Sequence, residues 1–321
     1  MNMASPSSHP GTLHLIANNV SAFEPSKPLT SDQNTNTLIW IGGLGDTYSS
    51  VAYPYVLAQS LGPSWSLVIA ALGSTGASWG TSSIARDADE IAKVVSFSRT
   101  RRPNGKVVIM GHSTGCQDCM QYLTGSGADA RPPVDGAVLQ APVSDREALE
   151  EALPQAFLHE ANQLALKLCR ERKDKEIMPN RFTSSLFGRT AVSARRWVDI
   201  ASPGPDHTGA DDFFSSDLED DRLKSSFGKL SSRTPVMILF SGSEENVSDK
   251  LDKEALVKKW TAVAKDSGAS IDEKNGGVVP QASHNLNGNP EGVVQDLVRR
   301  VLNFVGRLDK EDLGQAAGSR I

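Results

Sequence analysis

The chain has 321 residues, with 33 Lys and Arg against 38 Asp and Glu, a formal charge of −5, and 39% hydrophobic residues. That is enough to bury a substantial core, either as one large α/β domain or as a core domain carrying an insertion, and it excludes a disordered polymer as the default. Acidic and basic residues are interspersed along most of the chain rather than gathered into a basic face, which argues against nucleic acid as a partner.

In chain order, the first thirty-odd positions are rich in Ser, Pro, Asn and Thr, with neither a basic start nor an apolar h-region, so no secretory leader is expected. No run of eighteen apolar residues follows anywhere, so no membrane span is expected. Three cysteines suit a reducing compartment better than a disulfide framework. The closing Ser319-Arg320-Ile321 only loosely matches the S-K-L peroxisomal address, and a cytoplasmic location is the expectation.

Strand-like apolar runs occupy Leu13–Ala17, Thr37–Ile41, Leu67–Ala71, Lys106–Met110, Gly136–Gln140 and Val236–Phe240. Between and after them, helical patterns cover Ala52–Leu61, Ser83–Ser98, Cys116–Leu123, Lys253–Asp266 and Pro290–Leu308. Such alternation predicts a mostly parallel sheet covered by helices. The stretch from Asp145 to Ser232 breaks the rhythm, being charged and helical first and loop-like around Ala201–Asp212. An insertion between two core strands can cover the carboxyl ends of the sheet, where ligands bind in open α/β folds. The expected organisation is therefore a core of residues 1–144 and 233–321 with a cap or lid over 145–232. The N-terminal thirty residues and the tail after Leu313 are expected to be flexible. Within the cap, the charged segment Arg170–Glu176 is taken as a solvated helical face rather than an anion site.

The chemistry concentrates at four loops. After strand Thr37–Ile41 comes Gly42-Gly43-Leu44-Gly45-Asp46, which meets neither the dinucleotide fingerprint nor the phosphate-loop pattern. Trp79, after strand Leu67–Ala71, is either an acyl-pocket wall or an ordinary packing tryptophan. Strand Lys106–Met110 runs into Gly111-His112-Ser113-Thr114-Gly115, a G-x-S-x-G followed by a helical pattern, the context of a nucleophile elbow. Ser113 is the predicted nucleophile. An oxyanion hole needs backbone N–H groups aimed at the developing charge, and Thr114 and Leu44 are positioned to supply them.

A serine hydroxyl needs a base, and this fold orders its triad serine, acid, histidine. Of the histidines beyond Ser113, His159 and His207 fall in the cap. His284 lies in a loop between the last strand and the C-terminal helix, so it is the predicted base. For the acid, Glu244 in Ser241-Gly242-Ser243-Glu244 is preferred, and Glu245 and Asp145 remain open. Cys116 and Cys119 form a C-x-x-C inside the helix after the elbow, with no second pair to complete a zinc site, so packing is their expected role. Neither a metal nor an organic cofactor is expected.

These stretches resemble a fungal family of α/β-hydrolases, the SidJ-like siderophore esterases, whose best-known member hydrolyses fusarinine C. The resemblance rests on Ile41-Gly42-Gly43-Leu44-Gly45-Asp46, on Gly111-His112-Ser113-Thr114-Gly115-Cys116-Gln117-Asp118, on Leu139-Gln140-Ala141-Pro142-Val143-Ser144-Asp145-Arg146, and on Asp211-Asp212-Phe213-Phe214-Ser215-Ser216-Asp217-Leu218. It implies an α/β-hydrolase fold and a serine esterase acting on a small ester, with a ferric hydroxamate siderophore as substrate and intracellular iron release as outcome. The acid turn departs from the usual pattern, carrying Glu244 and Ser248 where aspartate and proline are more frequent. Oligomeric state is not legible.

Overall fold

The computed structural model describes residues 8–27 and 36–318. Eight strands form one sheet in the order β1-β2-β4-β3-β5-β6-β7-β8. They are β1 (Gly11–Ala17), β2 (Val20–Pro25), β3 (Asn36–Ile41), β4 (Trp65–Ala71), β5 (Val107–His112), β6 (Gly136–Gln140), β7 (Val236–Ser241) and β8 (Gly277–Val279). β1 and β2 are antiparallel, as are β2 and β4, whereas every pairing from β4 through β3 to β8 is parallel.

The six sequence-predicted strands are all present, and two more join them. β2 escapes a hydrophobicity scan because its buried Glu24 interrupts the apolar pattern, and β8 because it has only three residues. The hairpin β1–β2 also occupies much of the N-terminal stretch that was expected to be flexible. Residues 1–7, 28–35 and 319–321 lie outside the described residues.

Parallel strands joined by helices are covered on both faces, so their side chains read as continuous apolar runs. In β3, Ile39 and Ile41 face one apolar cluster while Leu38 and Trp40 face the other. The first cluster is completed by α2 (Ile84–Arg101), α3 (Thr114–Thr124) and α9 (Lys253–Asp266), the second by α1 (Tyr53–Ser60) and α10 (Glu291–Gly318). α10 therefore continues past Leu313, where a flexible tail was expected.

Between β6 and β7 run five further helices: α4 (Asp145–Ala152), α5 (Gln155–Arg170), α6 (Asn180–Phe187), α7 (Ala194–Ala201) and α8 (Asp220–Ser226). α4 to α7 share a third apolar cluster built around Trp197, Phe182 and Met178, into which Trp79 inserts from the β4 side. The segment Arg170–Glu176 is largely solvent-facing, with Lys173 paired to Glu171 at 2.9 Å. Cys116 and Cys119 are buried free thiols of α3, and Cys116 Sγ donates to the carbonyls of Gly111 and Gln140.

Candidate active site

The elbow is a strained turn. Ser113 has φ 54° and ψ −126°, a conformation that costs a side-chain-bearing residue energy and persists only where the surroundings enforce it. The enforcement is visible at the flanking glycines. A Cβ on Gly111 would lie 2.1 Å from Gly115 O, and one on Gly115 would lie 2.4 Å from Ile41 O. Any other residue at either position drives backbone into backbone, so the two glycines let β5 turn straight into α3 beneath the end of β3. Ser113 N–H donates to Gln140 O at 3.0 Å, tying the turn to β6.

The loop after β3 passes over the serine just as closely. A Cβ on Gly43 would sit 2.6 Å from Ser113 Cβ. Asp46 closes this loop: its Oδ2 accepts from Gly43 N–H at 2.8 Å, and its own N–H donates to Gly43 O at 3.1 Å. With the Gly43 amide so engaged, the next donor is Leu44 N–H, which meets no acceptor among the described residues. Thr114, at the start of α3, offers the other predicted amide.

His284 comes from the loop after β8. Its Nδ1–H donates to Glu244 Oε2 at 2.8 Å, leaving Nε2 as the basic nitrogen. Asn246 donates to the other Glu244 oxygen through its side-chain and backbone N–H groups, at 2.9 and 3.2 Å, fixing the carboxylate's orientation. Burial works against a protonated His284, but the Glu244 hydrogen bond and charge, with Glu245 and Asp46 behind them, outweigh it and hold its pKa above the ordinary 6.5.

Of the three candidate acids, Glu244 alone meets the imidazole. Glu245 accepts the His284 backbone N–H at 2.8 Å, and Asp145 accepts from Gln117 Nε2 at 3.1 Å. His207 is turned away, with Nδ1 on Ser202 O at 2.6 Å.

Two contributors were not singled out from sequence. Gln140 closes β6 and connects everything around it: its Nε2 donates to His284 O at 3.2 Å, while its Oε1 accepts from Tyr53 OH at 2.9 Å and from His112 Nδ1 at 2.6 Å. His112 therefore carries its proton on Nδ1, and burial followed by the nearby His284 pushes its pKa down to about 3. It packs 4.9 Å, ring to ring, from His284 as a neutral platform. The other is Asp46, for which the only sequence signal was its place at the end of the glycine-rich loop.

Among the described residues, no three His, Cys, Asp or Glu side chains converge to hold a metal ion, and no helix is long and apolar enough to cross a membrane.

A mostly parallel sheet, a strained serine at the β5–α3 turn and a histidine–glutamate pair beyond the last strands define an α/β-hydrolase fold. More distant solved structures agree on that fold alone: an α/β-hydrolase fold protein of unknown function (14% identical) and a monoglyceride lipase of Saccharomyces cerevisiae (12%) both superpose with a TM-score of 0.62. The chain belongs to the DUF1749 family, described as a protein of unknown function, whose model matches residues 1–306.

Among curated relatives, an esterase of Emericella nidulans is 34% identical, covering 94% of this chain and 93% of its own length. The fusarinine C esterase sidJ of Aspergillus fumigatus is 32% identical, covering 94% and 97%. The solved structure of the siderophore hydrolase EstB from Aspergillus fumigatus is 33% identical, with a TM-score of 0.79 over 94% of this chain and 98% of that one.

Proposed function

We propose that this chain is a cytoplasmic serine esterase that cleaves the ester bonds of a hydroxamate siderophore of the fusarinine C type, releasing its iron. The observation that carries this reading is similarity at 32–33% identity, over nearly the full length of each chain, to a fusarinine C esterase and a siderophore hydrolase. In the mechanism, Ser113 Oγ attacks the ester carbonyl carbon while its proton passes to His284 Nε2, and Glu244 stabilises the resulting imidazolium. The Leu44 and Thr114 amides hold the oxyanion. Collapse expels the alcohol, which takes the proton from His284. Water then attacks the acyl-enzyme through the same histidine, releasing the acid and restoring Ser113. Residues 145–232 act as a cap over the carboxyl ends of the strands. Ferric iron travels as cargo of the substrate.

The test is to incubate the purified protein and Ser113→Ala with ferric fusarinine C and with a simple acetyl ester, following products by mass spectrometry. Serine-dependent release of the monomeric hydroxamate is expected, with Ser113→Ala lowering kcat by about a thousandfold or more. Serine-dependent cleavage of the acetyl ester alone keeps the mechanism and discards the siderophore. Equal activity of Ser113→Ala discards both. A sharper test of the acid is Glu244→Gln. Removing the charge that holds the His284 pKa up moves the acidic limb of the kcat/KM–pH profile to lower pH, alongside a fall in kcat.

A further inference from the structure

The hydrogen bonds at the end of β6 run in one direction only. Trp40 Nε1–H donates to Tyr53 OH at 2.8 Å, and an indole N–H can do nothing else, so the Tyr53 hydrogen is left for Gln140 Oε1 at 2.9 Å. On the other side of the carboxamide, Gln140 Nε2 lies 3.2 Å from His284 O, a carbonyl that only accepts. Both ends therefore agree on which way the amide faces. Turned over, it would set oxygen against oxygen at His284 and a donor against the Tyr53 hydrogen. With Oε1 so placed, the His112 proton belongs on Nδ1, 2.6 Å away.

Gln140, Tyr53, Trp40 and His112 are all buried, where an amide with a mismatched partner is costly and a matched one holds a single orientation. The main-chain carbonyl of Gln140 meanwhile accepts from Ser113 N–H at 3.0 Å. One residue thus touches the chain at two distant places, the Ser113 amide through its backbone and the His284 carbonyl through its side chain. His284 is held at two further points, its ring by Glu244 and its N–H by Glu245, but both of those belong to the loop after β7. That loop sets the imidazole relative to β7, and Gln140 sets it relative to the elbow.

We infer that Gln140 is a positioning residue for the reaction: its carboxamide, acting through the His284 carbonyl, sets the distance over which the proton of Ser113 Oγ passes to His284 Nε2. The inference rests on the serine-esterase reading above. Proton transfer needs the two atoms within about 3 Å, and a displacement of about 1 Å in such a geometry lowers the rate by about a hundredfold. Gln140 itself, sealed beneath the elbow, meets neither the substrate nor the reacting atoms, so its loss falls on kcat rather than on KM.

Gln140→Met keeps the length of the side chain and removes its polar contacts. The purified variant should be labelled at Ser113 by a fluorophosphonate probe about ten- to a hundredfold more slowly than the parent. Its kcat on a simple acetyl ester should fall by the same factor, with KM within about twofold of the parent. Gln140→Glu separates donor direction from shape. The introduced carboxyl reproduces the carboxamide only while protonated, with its O–H toward His284 O and the bare oxygen toward Tyr53 and His112. Once ionised it faces a carbonyl oxygen with no hydrogen between them. The parent's kcat rises to a plateau as His284 loses its proton, whereas the variant's should fall again at higher pH, adding a basic limb that the parent lacks. Burial holds Tyr53 and Cys116, the other titratable groups packed here, well above their ordinary values, and His112 is held at about 3. His284, with Glu244, Glu245 and Asp46 acting on it, supplies the acidic limb of both proteins.

Gln140→Met with parental labelling and kcat overturns the inference, as does a Gln140→Glu profile without the basic limb. Should thermal unfolding show that Gln140→Met does not fold, the Gln140→Glu profile decides. Slow labelling of Gln140→Met beside a parent that labels promptly yet hydrolyses no ester keeps the inference and removes the esterase reading. Serine-dependent hydrolysis that is equal in the parent and in Gln140→Met does the reverse.

Discussion

Two buried ion clusters of similar ingredients behave in opposite ways. On the β1–β2 side of the sheet, Glu24 sits among Arg101, Arg102 and His14, with its Oε1 2.5 Å from Arg102 and its Oε2 2.9 Å from His14. Burial alone would raise its pKa, yet its cationic partners outweigh burial and draw it down to about 2. Around Arg196 the proportions are reversed: Asp87, Asp118, Asp145 and Asp211 gather about one guanidinium, and all four are pushed up. The difference teaches that local charge balance, rather than burial itself, decides whether a buried carboxyl is held ionised or drawn toward its protonated form.

The largest expected effect comes from removing the single cation of the acidic cluster. Arg196→Met leaves Asp211 without its ion pair and should cost about 3–5 kcal/mol in denaturant unfolding at neutral pH, because a broken buried pair exposes the full desolvation penalty of the survivor. The loss should shrink toward pH 5 as the carboxyls protonate; a loss independent of pH would point to packing instead.

Glu24→Gln tests the other cluster. Its folded pKa is depressed, so its stabilisation is complete above the unfolded value near 4.5 and is lost as pH falls toward 2. The variant should lose about 3 kcal/mol at neutral pH and lack that acid-side decline. For Asp87 and Asp145 the sign is opposite. Raised folded pKa values make the folded state bind more protons, so stability falls as pH rises from about 4 through 6 and 7. Asp118→Asn, the smallest change, should be within about 1 kcal/mol of the parent in acid and more stable than it above neutrality, as read by thermal unfolding across pH. A variant less stable at every pH would mean that Asp118 is a structural ion rather than a strained buried acid.

Sequence alone reveals the parts of this molecule whose cause is local. The apolar runs of the parallel strands follow from burial on both faces, and the two glycines around Ser113 follow from a turn with no room for a Cβ. His284 is singled out by its place in the chain, between the last strand and the C-terminal helix. What sequence does not reveal is partnership across distance. Glu244, Glu245 and Asp145 are equivalent carboxylates until folding sets one on the imidazole, one on the His284 amide and one on Gln117. Glu24 reads as an interruption of a strand because its counterions lie some 77 residues away, at the end of α2. Likewise Arg196 and Asp118 carry no pattern linking them, since one belongs to α7 and the other to α3.

Gln140 is the last residue of β6, shortly before the five-helix segment begins at Asp145. Its carbonyl and carboxamide tie together the turn of Ser113 and the loop of His284, although these lie on opposite sides of that segment in the chain. The relative placement of Ser113 and His284 is thus referenced to one strand end rather than to the intervening helices. Exchanging those helices would therefore change what surrounds Ser113 while leaving Ser113 and His284 referenced to the same residue.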